Sequence, residues 1–412
     1  MTKRPMQVAL SLVLASCGTS SQTAAQSTND SGPPFTISAI TTFDNPWAMA
    51  FLQESTTAVV TEKPGRLWLV DVKAGRKQEV TGAPRVLYGG QGGLLDVVLG
   101  PTFGTDNQLY LTYSEPSPNG GSSLALARAK LVRDASGARL DGLNVLWRDP
   151  IGGQGGQFGA IVVFAPDGKS LFLTAGERQR FTPAQDPSQP IGKILHLTLD
   201  GKPAPGNPWA GRAGASSVLV TDPPEDTEAA RHAPTRRIVW RGPNLTPSET
   251  WTLGHRNPYG LALDADGRLW ETEMGPRGGD ELNVILPGKN YGWPLVSEGK
   301  NYDGVLIPPH STRQEFEPPK LFWVPSISPT SLVIYSGNLF PQWKGSGFIG
   351  TLTGTGLIRV TLNGDRAQKA EQWNMPRARI RFVSQGPDGA IYLLEDGSGG
   401  RLLRLTPPQT RR

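Results

Sequence analysis

The chain has 412 residues, with 50 glycines, 37 prolines, four histidines, one cysteine and a formal net charge of +5. The glycines and prolines punctuate apolar runs at regular intervals, which argues against a disordered or low-complexity chain, and a single cysteine excludes an internal disulfide framework. The basic residues are scattered apart from the pairs Arg236-Arg237 and Arg411-Arg412, so the charge reads as solvated surface and not as a nucleic-acid footprint.

At the N-terminus, Lys3 and Arg4 precede an apolar run, Val8 to Ala15, that is too short to span a bilayer and ends in Leu14-Ala15-Ser16-Cys17. This pattern resembles a bacterial lipobox, whose cysteine is lipidated, so residues 1–17 are expected to be a lipoprotein-type signal peptide. The alternative is an ordinary export signal cleaved near Ala25. Either reading places the mature protein outside the cytoplasm, in the periplasm or cell envelope, with membrane attachment through a lipid alone. Residues 18–34 are polar with almost no apolar content and read as a flexible linker.

From Phe35 onward a turn containing glycine recurs, followed by a short apolar strand with an aromatic residue. It appears at Pro64-Gly65-Arg66-Leu67-Trp68, Asp167-Gly168, Asp266-Gly267-Arg268-Leu269-Trp270 and Asp388-Gly389-Ala390-Ile391-Tyr392, with a looser copy at Asn107-Gln108-Leu109-Tyr110. Asp-Gly supplies the positive φ of tight hairpins, and the residues after it suit a pleated sheet. Further strands are expected at Ala58–Thr61, Leu94–Leu99, Ile161–Phe164, Ile194–Leu199 and Leu357–Leu362, and Ser123–Val132 reads as a strand pair. Many short antiparallel strands in repeated hairpins predict an all-β, six-bladed β-propeller over residues 35–408, with a large β-sandwich as the alternative. Residues 211–249 break the rhythm with Pro-rich and charged stretches and are expected to be a surface insertion, either a flap beside one face or a plain loop.

Three segments carry more than turn chemistry. They are Gly90-Gln91-Gly92-Gly93-Leu94-Leu95-Asp96, Leu253-Gly254-His255-Arg256-Asn257-Pro258-Tyr259-Gly260, and Glu273-Met274-Gly275-Pro276-Arg277-Gly278-Gly279-Asp280-Glu281 leading to Gly288-Lys289-Asn290-Tyr291-Gly292-Trp293-Pro294. Together they resemble the soluble aldose sugar dehydrogenases that use pyrroloquinoline quinone (PQQ), the glucose/sorbosone dehydrogenase type, from about Phe43 to Leu405. The resemblance implies a six-bladed propeller with PQQ and a calcium ion on one face, a sugar substrate and an external electron acceptor. PQQ carries three carboxylates, which call for guanidinium forks, and an o-quinone that a divalent ion can polarise.

By resemblance, Arg256 and Asn257 bind the quinone, Arg379 and Arg381 reach its carboxylates, and Gln91 hydrogen-bonds near the reacting carbonyl. The i, i+2 spacing of Arg379 and Arg381 puts both on one face of a strand. The carbonyls of Gly275 and Pro276 are the expected calcium ligands, with Glu273, Asp280 and Glu281 making the locality acidic. The family's general base is a histidine in the loop that here reads Gly156-Gln157-Phe158-Gly159, so Gln157 stands at the catalytic position without a titratable side chain. Ile161 stands where many relatives carry arginine, and Thr353 where a cofactor-contacting lysine is expected.

Of the histidines, His196 falls in a strand, His232 in the insertion and His310 in a Pro-rich loop; His255 and Glu177 are the remaining candidates for a base. The leading expectation is a PQQ- and calcium-dependent oxidoreductase acting on an aldose or related polyol. A propeller that binds a ligand without turnover, motivated by Gln157 and Thr353, and a calcium-dependent lactone hydrolase on a similar fold are the competing readings.

Overall fold

The computed structural model describes residues 33–408 except 54, 119 and 222–233. The signal segment with Cys17, nearly all of the linker and His232 lie outside the described residues.

The chain opens with β1 (Thr36–Asp44) and then lays down sheets in sequence order. The first is β2–β5 (Pro46–Phe51, Thr57–Glu62, Arg66–Asp71, Arg76–Thr81), and the second is β6–β9 (Leu94–Leu99, Gln108–Pro116, Ser122–Asp134, Gly137–Arg148). Parallel pairing of β5 with β9 joins these two into one eight-stranded sheet. The third uses β10–β12 (Gly159–Phe164, Ser170–Ala175, Lys193–Thr198), then a two-stranded ribbon of β13 and β14 (Ser217–Thr221, Thr235–Val239), and closes with β15 (Thr250–Leu253). There follow β16–β19 (Pro258–Leu263, Leu269–Glu273, Asp280–Ile285, Leu321–Trp323) and β20–β23 (Pro329–Ile334, Gly347–Thr351, Gly356–Asn363, Arg366–Trp373). In the last sheet β24–β26 (Ile380–Gln385, Ile391–Glu395, Ser398–Thr406) take the N-terminal β1 as their outer strand.

First strands of successive sheets lie side by side, from β2 through β6, β10, β16, β20 and β24 and back to β2. The sheets therefore form a closed, propeller-like ring, with apolar residues of neighbouring sheets meeting between them, as Val59, Leu67, Leu95, Leu111 and Leu126 do. Closure by the first strand ties both ends of the fold into one sheet and leaves no open end to the ring.

Every one of these first strands carries a register shift against its second strand, at Pro46/Met49, Leu94/Val97, Gly159/Val162, Pro258/Gly260, Pro329/Leu332 and Ile380/Phe382. A bulge removes ladder partners from the backbone, and threonine hydroxyls on the second strands replace them. Thr61 Oγ1 accepts from the Ala48 N–H at 3.0 Å and donates to the Leu95 carbonyl of the next sheet at 2.7 Å. Thr112 repeats this between Asp96 and Ala160, and Thr174 between Ile161 and Pro258. Each staple satisfies a bulge and joins two sheets, for roughly 0.5–1.5 kcal/mol per hydrogen bond.

Asp96 adds a carboxyl version of this device. Its carboxylate accepts from Val97 N and, across the sheet boundary, from Val162 N, both at 2.9 Å. Burial pushes its pKa up from 3.8 to about 7. The native state thus keeps a proton that the unfolded chain has released, so the stability this group contributes falls as pH rises from 3.8 to about 7. Asp96→Asn is expected to remove that slope from urea midpoints measured across the interval; an unchanged slope would assign it to other groups.

One sequence expectation is corrected, and the hairpin turns fall at two ends of the sheets. Ser123–Val132 is not a strand pair but the body of the single strand β8, which pairs with β7 on one side and β9 on the other. Pro64-Gly65 joins a second strand to a third, whereas Asp167-Gly168, Asp266-Gly267 and Asp388-Gly389 join first strands to second ones, at the opposite end of the sheets. The insertion contains the β13–β14 ribbon, in which Val218 and Val220 pack on Ile151 and Ile191 and Arg236 Nη2 donates to the carbonyls of Ile151 and Gly152.

Candidate functional site

In an antiparallel sheet, the start of the first strand and the hairpin between the second and third strands share one end. That end collects the expected residues. Gln91, Gln157, Arg256-Asn257 and Arg379 stand within three residues of the starts of β6, β10, β16 and β24. Glu177, Gly275-Pro276 and Thr353 lie in the second-to-third connections of their sheets. Left-handed backbone at Gln157 (φ 55) and Ser328 (φ 49) turns the chain into its strand, a conformation that costs a non-glycine residue energy and holds the side chain in a fixed place.

Gln157 is buried, at 3 % exposure, and sits at the centre of a hydrogen-bonded chain. Its backbone N–H donates to Gln91 Oε1 at 2.8 Å. With its amide oriented to satisfy both neighbours, its nitrogen donates to Glu177 Oε1 and its oxygen accepts from Arg256 Nη2 at 2.9 Å. Arg256 Nη1 donates onward to the carbonyls of Met274 at 3.0 Å and Gly275 at 2.8 Å, and its guanidinium lies over the Trp293 ring. In the other direction Gln91 Oε1 accepts from the Tyr259 hydroxyl at 2.9 Å, and the Arg381 guanidinium lies 5.9 Å from the Tyr259 ring centroid.

Arg381 and Arg379 converge on one carboxylate. Arg379 precedes β24, and the register shift falls beside Arg381, so the pair is not a regular strand face as the spacing suggested. They meet because Arg379 Nε reaches Asp396 Oδ2 at 2.9 Å while Arg381 Nη2 reaches Oδ1 at 2.7 Å. Burial works against ionisation of Asp396, yet Arg381 and Arg379 hold it below the usual carboxylate range. Asn257 is buried and its Oδ1 accepts from Gly159 N at 3.3 Å.

Glu177 is a fully buried carboxylate. Its Oε2 accepts from the backbone N–H groups of Arg180 and Phe181. Burial raises its pKa, and Arg256 pulls it part of the way back. Beside it, Arg178 is buried over the Phe158 ring and donates to the carbonyls of Ser122, Gly153, Gly155 and Gly156. One side chain thus fixes the glycine-rich loop that delivers Gln157.

The expected acidic surroundings of Gly275 and Pro276 are buried and engaged. Asp280 accepts from Gly275 N at 2.8 Å and from the N–H groups of Ile327 and Ser328. Ser328 bonds Thr353 through their hydroxyls at 2.6 Å, so Thr353 is tied to the same group. Glu273 Oε2 accepts from Arg256 N at 2.6 Å, and its Oε1 pairs with His255 Nδ1 at 3.0 Å. The other His255 nitrogen bonds Thr252 at 2.9 Å, so both ring nitrogens are committed to the interior. His255, Glu271 and Glu273 bring ligand-type atoms within 4.8 Å of one another. His196 is likewise held by Asn207 and Ser170, and it lines a cleft of about 790 Å³ at the Asp-Gly turn end, which contains none of the expected site residues.

Sequence reasoning did not single out Tyr259, Asp396, Arg178 or Lys63. Tyr259 directly follows the Arg256-Asn257-Pro258 segment, and Asp396 supplies the counter-ion that the Arg-x-Arg pair requires. Lys63 occupies the same end of the first sheet and donates to the Gly90 carbonyl at 2.7 Å.

Comparison with known proteins identifies the family. The Glucose / Sorbosone dehydrogenase family model matches residues 43–221 and 233–404. The aldose sugar dehydrogenase YliI of Escherichia coli is 35 % identical over 371 residues, 88 % of this chain and 90 % of the relative. The crystal structure of the soluble aldose sugar dehydrogenase of Escherichia coli in the apo-form superposes with a TM-score of 0.78 and 32 % identity, over 91 % of this chain and 100 % of that one. The PQQ-bound form of the aldose sugar dehydrogenase of Streptomyces coelicolor superposes with a TM-score of 0.66 and 26 % identity, over 91 % of this chain and 99 % of that one. The chain belongs to the glucose/sorbosone dehydrogenase family.

Proposed function

We propose that the protein is a PQQ- and calcium-dependent oxidoreductase that oxidises an aldose or related polyol and passes the electrons to an external acceptor, on a six-bladed propeller. The observation that carries this reading is the run of contacts from Asp396 and Arg381, over the Tyr259 ring, through Gln91 and the backbone and side chain of Gln157, to Arg256 and the Gly275 carbonyl. The donor set suits a planar tricarboxylate, since Arg379 and Arg381 bring two guanidinium groups to one carboxylate. The PQQ-bound relative supports the same cofactor.

Bound there, PQQ would accept the hydride while calcium polarised its carbonyl. Arg379, Arg381 and Arg256 would hold its anionic rim, and Gln91 and Asn257 would supply polar contacts. Gly275 and Pro276 would face the ion; the Gly275 carbonyl keeps one lone pair beside that used by Arg256. Gln157 can orient a sugar hydroxyl but not take its proton; the acid bonded to its amide is the buried Glu177, to which we assign the role of base, reached through that amide's place. Export and lipidation at Cys17 belong to the same proposal on the strength of residues 3–17.

Adding PQQ and calcium to the apo-protein is expected to raise its thermal midpoint, because saturation at about 100 times Kd stabilises the native state by about 2.7 kcal/mol. An unchanged midpoint and an unchanged quinone absorbance would sink the reading. Dye reduction with a panel of aldoses then separates an oxidoreductase from a propeller that only binds.

A further inference from the structure

We infer that Lys63 is a carboxylate-binding residue of this site, supplying from the first sheet the ammonium group that is absent at Thr353. The inference rests on the PQQ reading and deepens it.

The backbone of Lys63 is fixed between two sheets. Its N–H donates to the Asn45 carbonyl at 2.9 Å and its own carbonyl accepts from Leu94 N at 3.0 Å, which ties the starts of β2 and β6 together. Gly93 has to be glycine for this contact, because its φ is +150° and a Cβ there would stand 2.3 Å from the Lys63 oxygen. From this staple the side chain returns over the Tyr88 ring to Gly90, the residue before Gln91. The last sheet stands between β2–β5 and β20–β23, so Lys63 and Thr353 belong to the sheets on either side of the one that carries Arg379 and Arg381.

The charges facing Lys63 are Arg381, Arg379 and Asp396, with the Tyr88 phenol as the other titratable neighbour. Arg379 and Arg381 share the Asp396 carboxylate, and Lys63 adds a third positive charge within their electrostatic reach, an excess that a polyanion relieves. Burial first, and then Arg381, lowers the pKa of Lys63 to about 8. A carboxylate arriving beside the ammonium group reverses this shift, so binding takes up a proton whenever the free protein is above that pKa.

The test is a titration of the full apo-protein with PQQ and calcium, followed by quinone absorbance, for wild type, Lys63→Gln and Lys63→Arg across the pH range around 8. Wild-type affinity is expected to be level below about 8 and to fall as pH rises above it. Lys63→Gln is expected to bind roughly 10- to 100-fold more weakly, the loss of one charge-assisted hydrogen bond, with a flat profile. Lys63→Arg, which stays charged throughout, should keep near wild-type affinity at pH 7 and lose the decline. Lys63→Gln with wild-type affinity, or with the same decline above pH 8, would overturn the inference while leaving the PQQ site intact. Failure of wild type to bind PQQ at any pH would overturn the site reading as well.

Discussion

Gln157→His is expected to raise kcat/KM for aldose oxidation in the PQQ- and calcium-loaded protein by about 10²- to 10⁴-fold, the usual contribution of a positioned base. The surroundings already suit an imidazole. The backbone N–H of residue 157 is held by Gln91, the left-handed turn aims the side chain, and the Glu177 carboxylate that accepts from the amide would accept from a ring N–H and fix the tautomer. The base must be neutral to act, so activity of the variant is lost as pH falls through the imidazole pKa. With Glu177 in the proposed role of base, wild type should lose its residual activity on acidification at a pH above the usual carboxylate range, because burial raises the pKa of that group. Adding Glu177→Gln to Gln157→His should cancel most of the gain. An unchanged kcat/KM in a loaded Gln157→His protein would mean that the missing base does not limit turnover, and would move the deficit to Thr353 or Ile161.

Arg178→Met is expected to cost about 3–5 kcal/mol of stability, the range for removing one partner of a buried charged pair. Arg178 is 1 % exposed, and its Nη1 lies 3.7 Å from Asp149 Oδ2. Methionine keeps much of the contact with Phe158 but leaves the carbonyls of Ser122, Gly153, Gly155 and Gly156 without that donor and Asp149 without its nearest cation. The loss should appear as a lower urea midpoint with an unchanged m value. A loss below about 1 kcal/mol, typical of an exposed pair, would mean that other groups hold the loop.

The chemistry of the site was legible where one short segment carries it whole. Arg256-Asn257-Pro258 and Gly275-Pro276 are contiguous words, and the turn before a first strand puts their polar residues at one end of a sheet without help from elsewhere. Interactions between segments were not legible in this way. Asp396 lies 15 residues beyond Arg381, and Lys63 lies on a sheet made from the other end of the chain; nothing local links them, because ring closure brings together residues that sequence separates most. The Thr61, Thr112 and Thr174 staples escaped notice for a related reason. Each looks like an ordinary strand residue until the bulge opposite it is known.

The sequence by itself determined the strand-and-turn alphabet and the family, since these depend on residue type and on spacing within a few residues. Tertiary structure alone decided that His255 is spent between Thr252 and Glu273 and that Glu177 is the acid touching Gln157. The physical reason is that hydrogen-bond partners and burial are properties of what surrounds a side chain, and in a closed ring those surroundings come from neighbouring sheets.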